Sequence, residues 1–362
     1  FISRSKNATI QRMKKATSMI PLTAMLLGLP LCGAWLAGPT ISTYLEFPPR
    51  TRHVEHAPFS WPIFIALAAV ILAVMVPLLV RVGAARATRA PRPVRRAFPW
   101  WGWIALAAGL LFWILAWARF EWMKPFQRHT FFPLWIAYIV FVNALTHRRA
   151  GNCLLTRETA FFLWLFPASA VFWWFFEYLN RFVQNWYYVG CEDYTAFQYF
   201  FLASLSFATV LPAVLSTEEW LATVPRVTAG LEGWFPIRLE NPKRAAWIAL
   251  AGSAAGLSLI RVFPDALFPL VWLAPVTLLM AFRAIAGGPA FFPELQHGDW
   301  RRVFRLALAA LICGVVWETW NGHSLAKWIY EIPYVHRFQL FEMPLLGYAG
   351  YLPFGLACAV VA

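Results

Sequence analysis

Ten apolar segments, each about as long as a membrane is thick, run through this chain of 362 residues. A helix needs roughly 20 mainly apolar residues to cross a bilayer. The segments are predicted at 16–38, 59–80, 99–118, 130–146, 159–179, 196–215, 245–261, 267–283, 303–320 and 339–361. With 60% hydrophobic and 13% charged residues, the chain carries more apolar surface than an aqueous core could bury. The sequence therefore predicts an all-α, polytopic integral membrane protein with ten transmembrane helices.

Basic residues are concentrated in the connections on one side of the predicted membrane. If the N-terminus lies inside, the inside connections hold most of the 31 Lys and Arg residues. This positive-inside pattern predicts that both termini are cytoplasmic, and we expect a bacterial inner membrane as the location. Topology and contacts with anionic membrane lipids then account for the net charge of +14. Nucleic acid is not a predicted partner.

The last eight segments are predicted to form two repeats of one four-segment unit. The trace in the first unit is Trp174, Phe176, Glu177, Asn180, Trp186 and Tyr188. The corresponding residues of the second unit are Val316, Trp317, Glu318, Asn321, Trp328 and Tyr330. Both units begin inside and hold an even number of segments, so we expect parallel repeats. The predicted organisation is a two-helix preface with an Arg-rich linker over 1–98, repeat 1 over 99–244 and repeat 2 over 245–362.

Three carboxylates are the candidate catalytic residues. Glu177 and Glu318 end apolar runs, and Glu342 opens one. Ionisable groups within a membrane are costly and suggest function, although polar residues there also serve packing between helices. The candidate ligand-binding residues are Asn180, Asn321, His129, Trp186, Trp328, Tyr188 and Tyr330. Aromatic residues at span ends are also typical of interfacial anchors, so both interpretations stay open.

The histidines and cysteines do not form a recognisable cofactor pattern. No pair of histidines is predicted at mid-membrane, which disfavours integral haem, and the five cysteines show no paired spacing. A mononuclear metal on His129, Glu177 and Glu318 is a geometric alternative, but no metal site is predicted. The expected ligand is a carotenoid, a quinone or a lipid. Nucleotide hydrolysis and familiar hydrolase chemistry lack their motifs.

The second half of each repeat carries a family resemblance. Its residues in repeat 2 are Trp300, Arg301, Arg302, Trp317, Glu318, Trp328, Tyr330, Phe338, Glu342, Pro344 and Leu345. This series resembles the membrane lycopene cyclase domain. The shared features are a basic stretch before the helix, a helix that ends in Trp and an acid, an aromatic loop, and a helix that starts with Glu and Pro. The resemblance implies ring closure of a polyene that is initiated by a proton from a membrane carboxylic acid. The family's Pro-x-Glu-Glu pattern is absent, because Glu342 precedes Pro344 and two leucines follow.

Three function classes stay open from the sequence. The favoured class is a membrane protein that binds a lipid or isoprenoid, or an accessory subunit of a larger complex, with lipids and other membrane subunits as partners. The first alternative is an isoprenoid- or carotenoid-modifying enzyme, similar to lycopene cyclase, that uses a glutamate as general acid. The second alternative is a transporter, which parallel repeats would suit.

Overall fold

A computed structural model of the chain describes residues 21–38, 41–85, 96–289 and 291–362. The described chain is mostly helical, which agrees with the predicted all-α class, but it also contains two short pairs of strands that the sequence did not predict. Three features of the sequence lie outside the described residues: the charged N-terminal stretch, residues 16–20 of the first predicted segment, and residues 86–95 of the Arg-rich linker.

Six helices of the described chain are long and apolar enough to cross a membrane. They are Trp61–Ala85, Trp100–Trp117, Gln127–Ala150, Thr159–Val183, Ala196–Ala222 and Arg301–Gly322. Shorter apolar helices occupy Pro21–Ala37, Leu270–Ile285 and Leu345–Val361, and a further helix spans Pro242–Leu259. Several long apolar helices in one chain are compatible with a multi-pass membrane protein.

Short elements connect these helices. Single α-helical turns lie at Ser42–Leu45, Leu154–Arg157 and Pro264–Leu267. Turns of 3-10 helix lie at Glu121–Met123, Gln127–His129, Pro225–Thr228, Pro293–His297 and Leu345–Gly350. The strands are β1 (Trp186–Val189), β2 (Lys327–Tyr330), β3 (Gln339–Leu340) and β4 (Met343–Pro344). β1 pairs with β2 and β3 with β4, both antiparallel.

Local sequence signals explain where several helices begin and end. Thr195 and Gln198 form a capping box, in which each side chain bonds the other residue's backbone N–H, at 3.2 and 2.9 Å. Gln198, which opens the sixth predicted segment, is thus a capping residue. The helix Phe131–Ala150 stops at Gly151, whose φ of 86° lies in the left-handed region that favours glycine. Within the sixth segment, Ala208 and Thr209 separate the helices Ala196–Phe207 and Val210–Ala222.

The tenth predicted segment, 339–361, is helical over only part of its length. Residues 339–344 form β3, β4 and the turn between them, and the α-helix begins at Tyr351 after a 3-10 turn. Phe338 and Phe341 both adopt left-handed backbone conformations, at φ 56°, which reverse the chain. Glu342 therefore lies in a strand turn and does not open a membrane helix.

Aromatic side chains pack the centre of the bundle around Phe354. This ring is fully buried, and it lies 5.5 Å from Phe176, 5.7 Å from Trp173 and 6.3 Å from Trp317, measured between ring centroids. The helix Tyr351–Val361 thereby joins Thr159–Val183 to Arg301–Gly322. Aromatic pairs at such distances add to the stabilisation that burial provides.

Gly355 permits the close approach of two helices. A Cβ atom added at Gly355 would lie 2.1 Å from the carbonyl oxygen of Leu306. We expect Gly355→Ala to lower the unfolding free energy by about 1–3 kcal/mol, because it forces the helices apart. Thermal unfolding in detergent measures the change. Gly252→Ala is the matched control, since its Cβ would meet nothing within 4 Å; equal losses in both variants would contradict the packing argument.

An extended segment from Arg50 to Ser60 crosses the end of the bundle where β1 and β2 lie. The imidazole of His56 lies 2.6 Å from a carboxylate oxygen of Asp265 and 3.2 Å from the carbonyl oxygen of Gln184. The backbone N–H of Ser60 donates to the carbonyl of Tyr334 at 2.9 Å. This segment ties parts of the chain that are far apart in sequence, and it covers the strand pair.

Candidate functional site

The strand pair places four predicted ligand-binding residues on one face. In the register of β1 and β2, Trp186 lies opposite Tyr330, and Tyr188 lies opposite Trp328. Successive side chains of a strand point to opposite faces, so these four share a face and Tyr187 occupies the other. All four line one cavity. The sequence named these residues without predicting that they are paired.

Asn180 and Asn321 fix the two strands to the ends of their helices in the same way. The side-chain amide of Asn180 donates to the carbonyl of Trp186 at 2.7 Å, and its oxygen accepts from the N–H of Asn185 at 2.8 Å. The amide of Asn321 donates to the carbonyl of Trp328 at 2.8 Å, and its oxygen accepts from the N–H of Trp328 at 2.9 Å. Both asparagines are fully buried. They bind the backbone of the strands and do not line the cavity.

Glu177 is a fully buried acceptor for the aromatic side chains. One carboxyl oxygen accepts from the indole Nε1 of Trp173 at 3.0 Å, from that of Trp186 at 3.0 Å and from the hydroxyl of Tyr188 at 2.6 Å. The other oxygen is buried without a hydrogen-bond partner among the described residues. The carboxyl therefore orients three rings at once.

Glu318 holds a second set of aromatic side chains. One oxygen of this fully buried carboxyl accepts from the hydroxyl of Tyr330 at 2.9 Å and from that of Tyr351 at 2.8 Å. The indole Nε1 of Trp328 donates in turn to the hydroxyl of Tyr330 at 2.9 Å. As with Glu177, the other oxygen has no hydrogen-bond partner in the part of the chain that the structure describes.

Glu342, the third predicted acid, lies apart from these two networks. Its carboxylate pairs with the ammonium of Lys327 at 2.5 Å, and both side chains are about one quarter exposed. The structure therefore brings Glu177 and Glu318 to the back of the aromatic walls, whereas Glu342 belongs to a partly exposed ion pair.

The cavity has a volume of about 360 Å³ and walls that are largely aromatic. Its aromatic lining consists of Trp173, Trp186, Trp272, Trp317, Trp328, Tyr188, Tyr194, Tyr199, Tyr330, Tyr351, Phe131, Phe132 and Phe207. His129 also lines it, with its ring stacked on Tyr194 at 6.2 Å between centroids. Glu177, Glu318 and Glu342 are not among the lining residues.

Hydrogen bonds to the acids direct the polar atoms of the walls away from the cavity. The hydroxyls of Tyr188, Tyr330 and Tyr351 donate to Glu177 or Glu318, and so do the Nε1 atoms of Trp173 and Trp186. An aromatic side chain whose N–H or O–H is already hydrogen-bonded can contact a neighbour only through its apolar ring. The walls therefore present apolar ring surface to anything bound inside.

The hydroxyls of Tyr188 and Tyr330 and the thiol of Cys191 are neutral at physiological pH. Burial raises the pKa of Tyr188 and Tyr330 well above the usual range, and the neighbouring glutamates raise it further. Both hydroxyls thus remain donors. Burial also raises the pKa of Cys191 to about 11, so this lining residue is a thiol and not a reactive thiolate.

Sequence reasoning missed Tyr351 and Trp272 as parts of the site. Both lie within predicted apolar segments and carry a polar atom, and a buried Tyr or Trp in such a segment usually needs a partner. This need for a hydrogen-bond partner was the signal in the sequence that could have identified them as site residues. It could not reveal that Tyr351 bonds Glu318, because the two residues lie on different helices.

The described residues contain no group of three or more His, Cys, Asp and Glu side chains that could hold a metal ion. His129 lines the cavity while Glu177 and Glu318 lie behind its walls, so the structure does not assemble this set as a metal site. Comparisons with protein-family models, with characterised proteins and with solved structures each find no match. The resemblance to the lycopene cyclase domain stays a prediction from the sequence.

Proposed function

We propose that this protein is a membrane protein whose aromatic cavity binds an isoprenoid or another lipid, such as a carotenoid or a quinone, alone or as an accessory subunit of a larger complex. The observation that carries the proposal is the aromatic lining of the cavity. Buried carboxyls behind the lining bind the polar atoms of its rings. Ligand pockets are typically about 300–1,000 Å³ and mostly apolar. The cavity volume of 360 Å³ falls in that range.

The energetics of the cavity favour an apolar ligand. Each methylene group buried from water contributes about 0.8 kcal/mol, and ring faces pack well against flat or polyene chains. A strongly polar ligand body would find few free donors or acceptors along these walls. The polar side chains of Arg128 and His129 also line the cavity and would meet one end of the ligand.

Binding is favoured over acid catalysis by the positions of the glutamates. A general acid must come within hydrogen-bond reach of the atom that it protonates. Glu177 and Glu318 lie behind Trp186 and Tyr330, and Glu342 is paired with Lys327. We therefore assign Glu177 and Glu318 as positioning residues that orient the walls.

Two four-helix repeats, over 99–244 and 245–362, are the architecture that we propose around this cavity. The matching bonds of Asn180 and Asn321 support it, since each bonds the strand that follows its own helix. The register of β1 and β2 supports it too, because Trp186 faces Tyr330 and Tyr188 faces Trp328. A twofold axis between Tyr187 and Ile329 would exchange the two strands in this way.

The proposed location is a bacterial inner membrane with both termini cytoplasmic. The helix Trp61–Ala85 supports insertion in a membrane. It is strongly apolar, and only 6% of its most apolar 18-residue stretch is buried inside the protein. Lipid or another membrane subunit would cover this surface.

Photoaffinity labelling tests the binding proposal. We expect a farnesol analogue with a diazirine group to label peptides that contain Trp186 to Phe207 and Ala326 to Tyr351. Unlabelled farnesol should suppress this labelling by competing for the cavity. Labelled peptides are identified by mass spectrometry of the digested protein. Labelling confined to the exposed helix Trp61–Ala85, without competition, would contradict a specific cavity.

A cavity-filling substitution supplies the control for this experiment. Ala203 lines the cavity, and Ala203→Trp should reduce the labelling about tenfold or more by occupying the site. Ala69→Trp places the same side chain on an exposed position of another helix and should leave the labelling unchanged. Equal labelling of both variants would argue against the cavity as the binding site.

A further inference from the structure

We infer that the ligand of this cavity carries an anionic headgroup, a phosphate or a carboxylate, that is bound by Arg128 and His129. The inference rests on the proposed binding function and adds the chemistry of one end of the ligand. Its basis is the distribution of charge around the cavity.

The ionisable side chains that line the cavity are unequally distributed in sign. Arg128 is a cation, and His129 adds an imidazole that can donate a hydrogen bond. Among the described residues, no Asp or Glu belongs to the lining. A ligand with a negative end would therefore meet no like charge on the cavity wall.

Arg128 and His129 lie beside one loop, residues 190–194. The guanidinium of Arg128 lies 5.6 Å from the centroid of the Tyr194 ring, which also stacks on His129. Val189, directly before this loop, lies opposite Lys327, whose side chain points to the other face of the strands and pairs with Glu342. Gly190 adopts φ +76° there, and a Cβ atom would lie 2.0 Å from the carbonyl of Leu325, so only glycine fits this approach. Arg128 and His129 thus lie together at one end of the cavity.

This end reaches the surface. The side chain of Arg128 is 37% exposed and that of its ion-pair partner Asp193 is 65% exposed. The walls farther along, around Trp317 and Phe207, are buried. An amphiphile would accordingly place its headgroup at the basic end and its apolar body between the rings.

The acidic residues at this end can yield to a headgroup. Arg128 pairs with Asp193 at 2.6 Å, and Glu192 accepts from the N–H of Gly190 at 2.9 Å. Exposed ion pairs contribute little to stability, so exchanging Asp193 for a phosphate costs little. Arginine binds phosphate or carboxylate oxygens by charge-assisted bonds, often two at once. Lys327 pairs with Glu342 on the other face of the strands, which leaves Arg128 as the cationic contact for the headgroup.

Two further groups favour an anion at the same place. The hydroxyl of Tyr194 is buried and bonds no acceptor in the described part of the chain, so it can donate to a headgroup. Arg128 and His129 directly precede the 20-residue helix Phe131–Ala150, whose first turn presents the positive end of its dipole.

Three probes that share a farnesyl group and differ only in their headgroup test the inference. Binding of farnesyl phosphate, farnesol and farnesylamine to the purified full chain in detergent is followed by tryptophan fluorescence. We expect farnesyl phosphate to bind about tenfold or more tightly than farnesol, and farnesylamine to bind most weakly. Equal binding of the phosphate and the alcohol, or a preference for the amine, would overturn the inference and leave the proposed function standing. Binding of none of the three would overturn both.

Charge variants locate the headgroup. Arg128→Gln should weaken farnesyl phosphate binding by about tenfold and leave farnesol binding unchanged. Asp193→Asn should strengthen phosphate binding, because it removes the competing carboxylate. Arg302→Gln is the control. It removes one exposed positive charge at the start of the helix Arg301–Gly322, whereas Glu318 of the site lies near the end of that helix. An unchanged ratio of phosphate to alcohol affinity in Arg128→Gln would overturn the assignment.

Discussion

Replacing Glu177 with leucine is expected to lower the free energy of unfolding in detergent by about 3 kcal/mol or more, because three buried donors lose their acceptor at about 1–3 kcal/mol each. The donors are the indoles of Trp173 and Trp186 and the hydroxyl of Tyr188. Chemical denaturation followed by near-UV circular dichroism measures both the stability and the order of the aromatic walls. The near-UV signal should weaken even where the helices persist.

Two variants calibrate this result. Glu177→Gln keeps one carbonyl oxygen as an acceptor, so its loss should be smaller, about 1 kcal/mol. Glu121→Leu changes a side chain that is 83% exposed and should have little effect. If Glu177→Leu were as stable as Glu121→Leu, Glu177 would not position the walls.

Replacing Asn180 or Asn321 with alanine is expected to cost about 2 kcal/mol or more in each case, because each change leaves at least two buried backbone groups unpaired. Asn180 serves Asn185 and Trp186, and Asn321 serves the N–H and the carbonyl of Trp328. Hydrogen exchange should show the loss of protection in both β1 and β2, since each strand pairs with the other.

The double variant and an exposed asparagine complete this experiment. The effects of Asn180→Ala and Asn321→Ala should not add, because both act on one strand pair. Asn152→Ala changes an exposed residue and should leave the exchange of the strands unaltered. Loss of protection in only the strand next to the mutated residue would show that the two strands are not coupled.

The helical segments could be read from the sequence because hydrophobic length is a local property. The pairing of β1 with β2 could not, since Trp186 and Tyr330 lie far apart in the chain and no turn joins their strands. The position of Glu342 was misjudged for a related reason. Its apolar neighbours suggested a helix, whereas the backbone reverses at Phe341 with φ 56°.

The candidate residues could be named from the sequence, but their roles could not be separated. Spacing grouped Glu177 with Asn180 and Trp186, and Glu318 with Asn321 and Trp328. Only the directions of hydrogen bonds distinguish a carboxyl that faces a ligand from one that binds the back of a ring. Those directions place Trp186 on the wall of the cavity and Glu177 behind it.

Native mass spectrometry of the gently extracted particle tests the central claim most directly, because the mass of a retained ligand and of any partner subunit appear together. We predict a stoichiometric ligand of lipid or isoprenoid mass on the wild-type chain and on Ala69→Trp, and its loss from Ala203→Trp. A wild-type particle without a ligand, or one whose ligand persists in Ala203→Trp, would contradict the assignment of the aromatic cavity as a lipid-binding site.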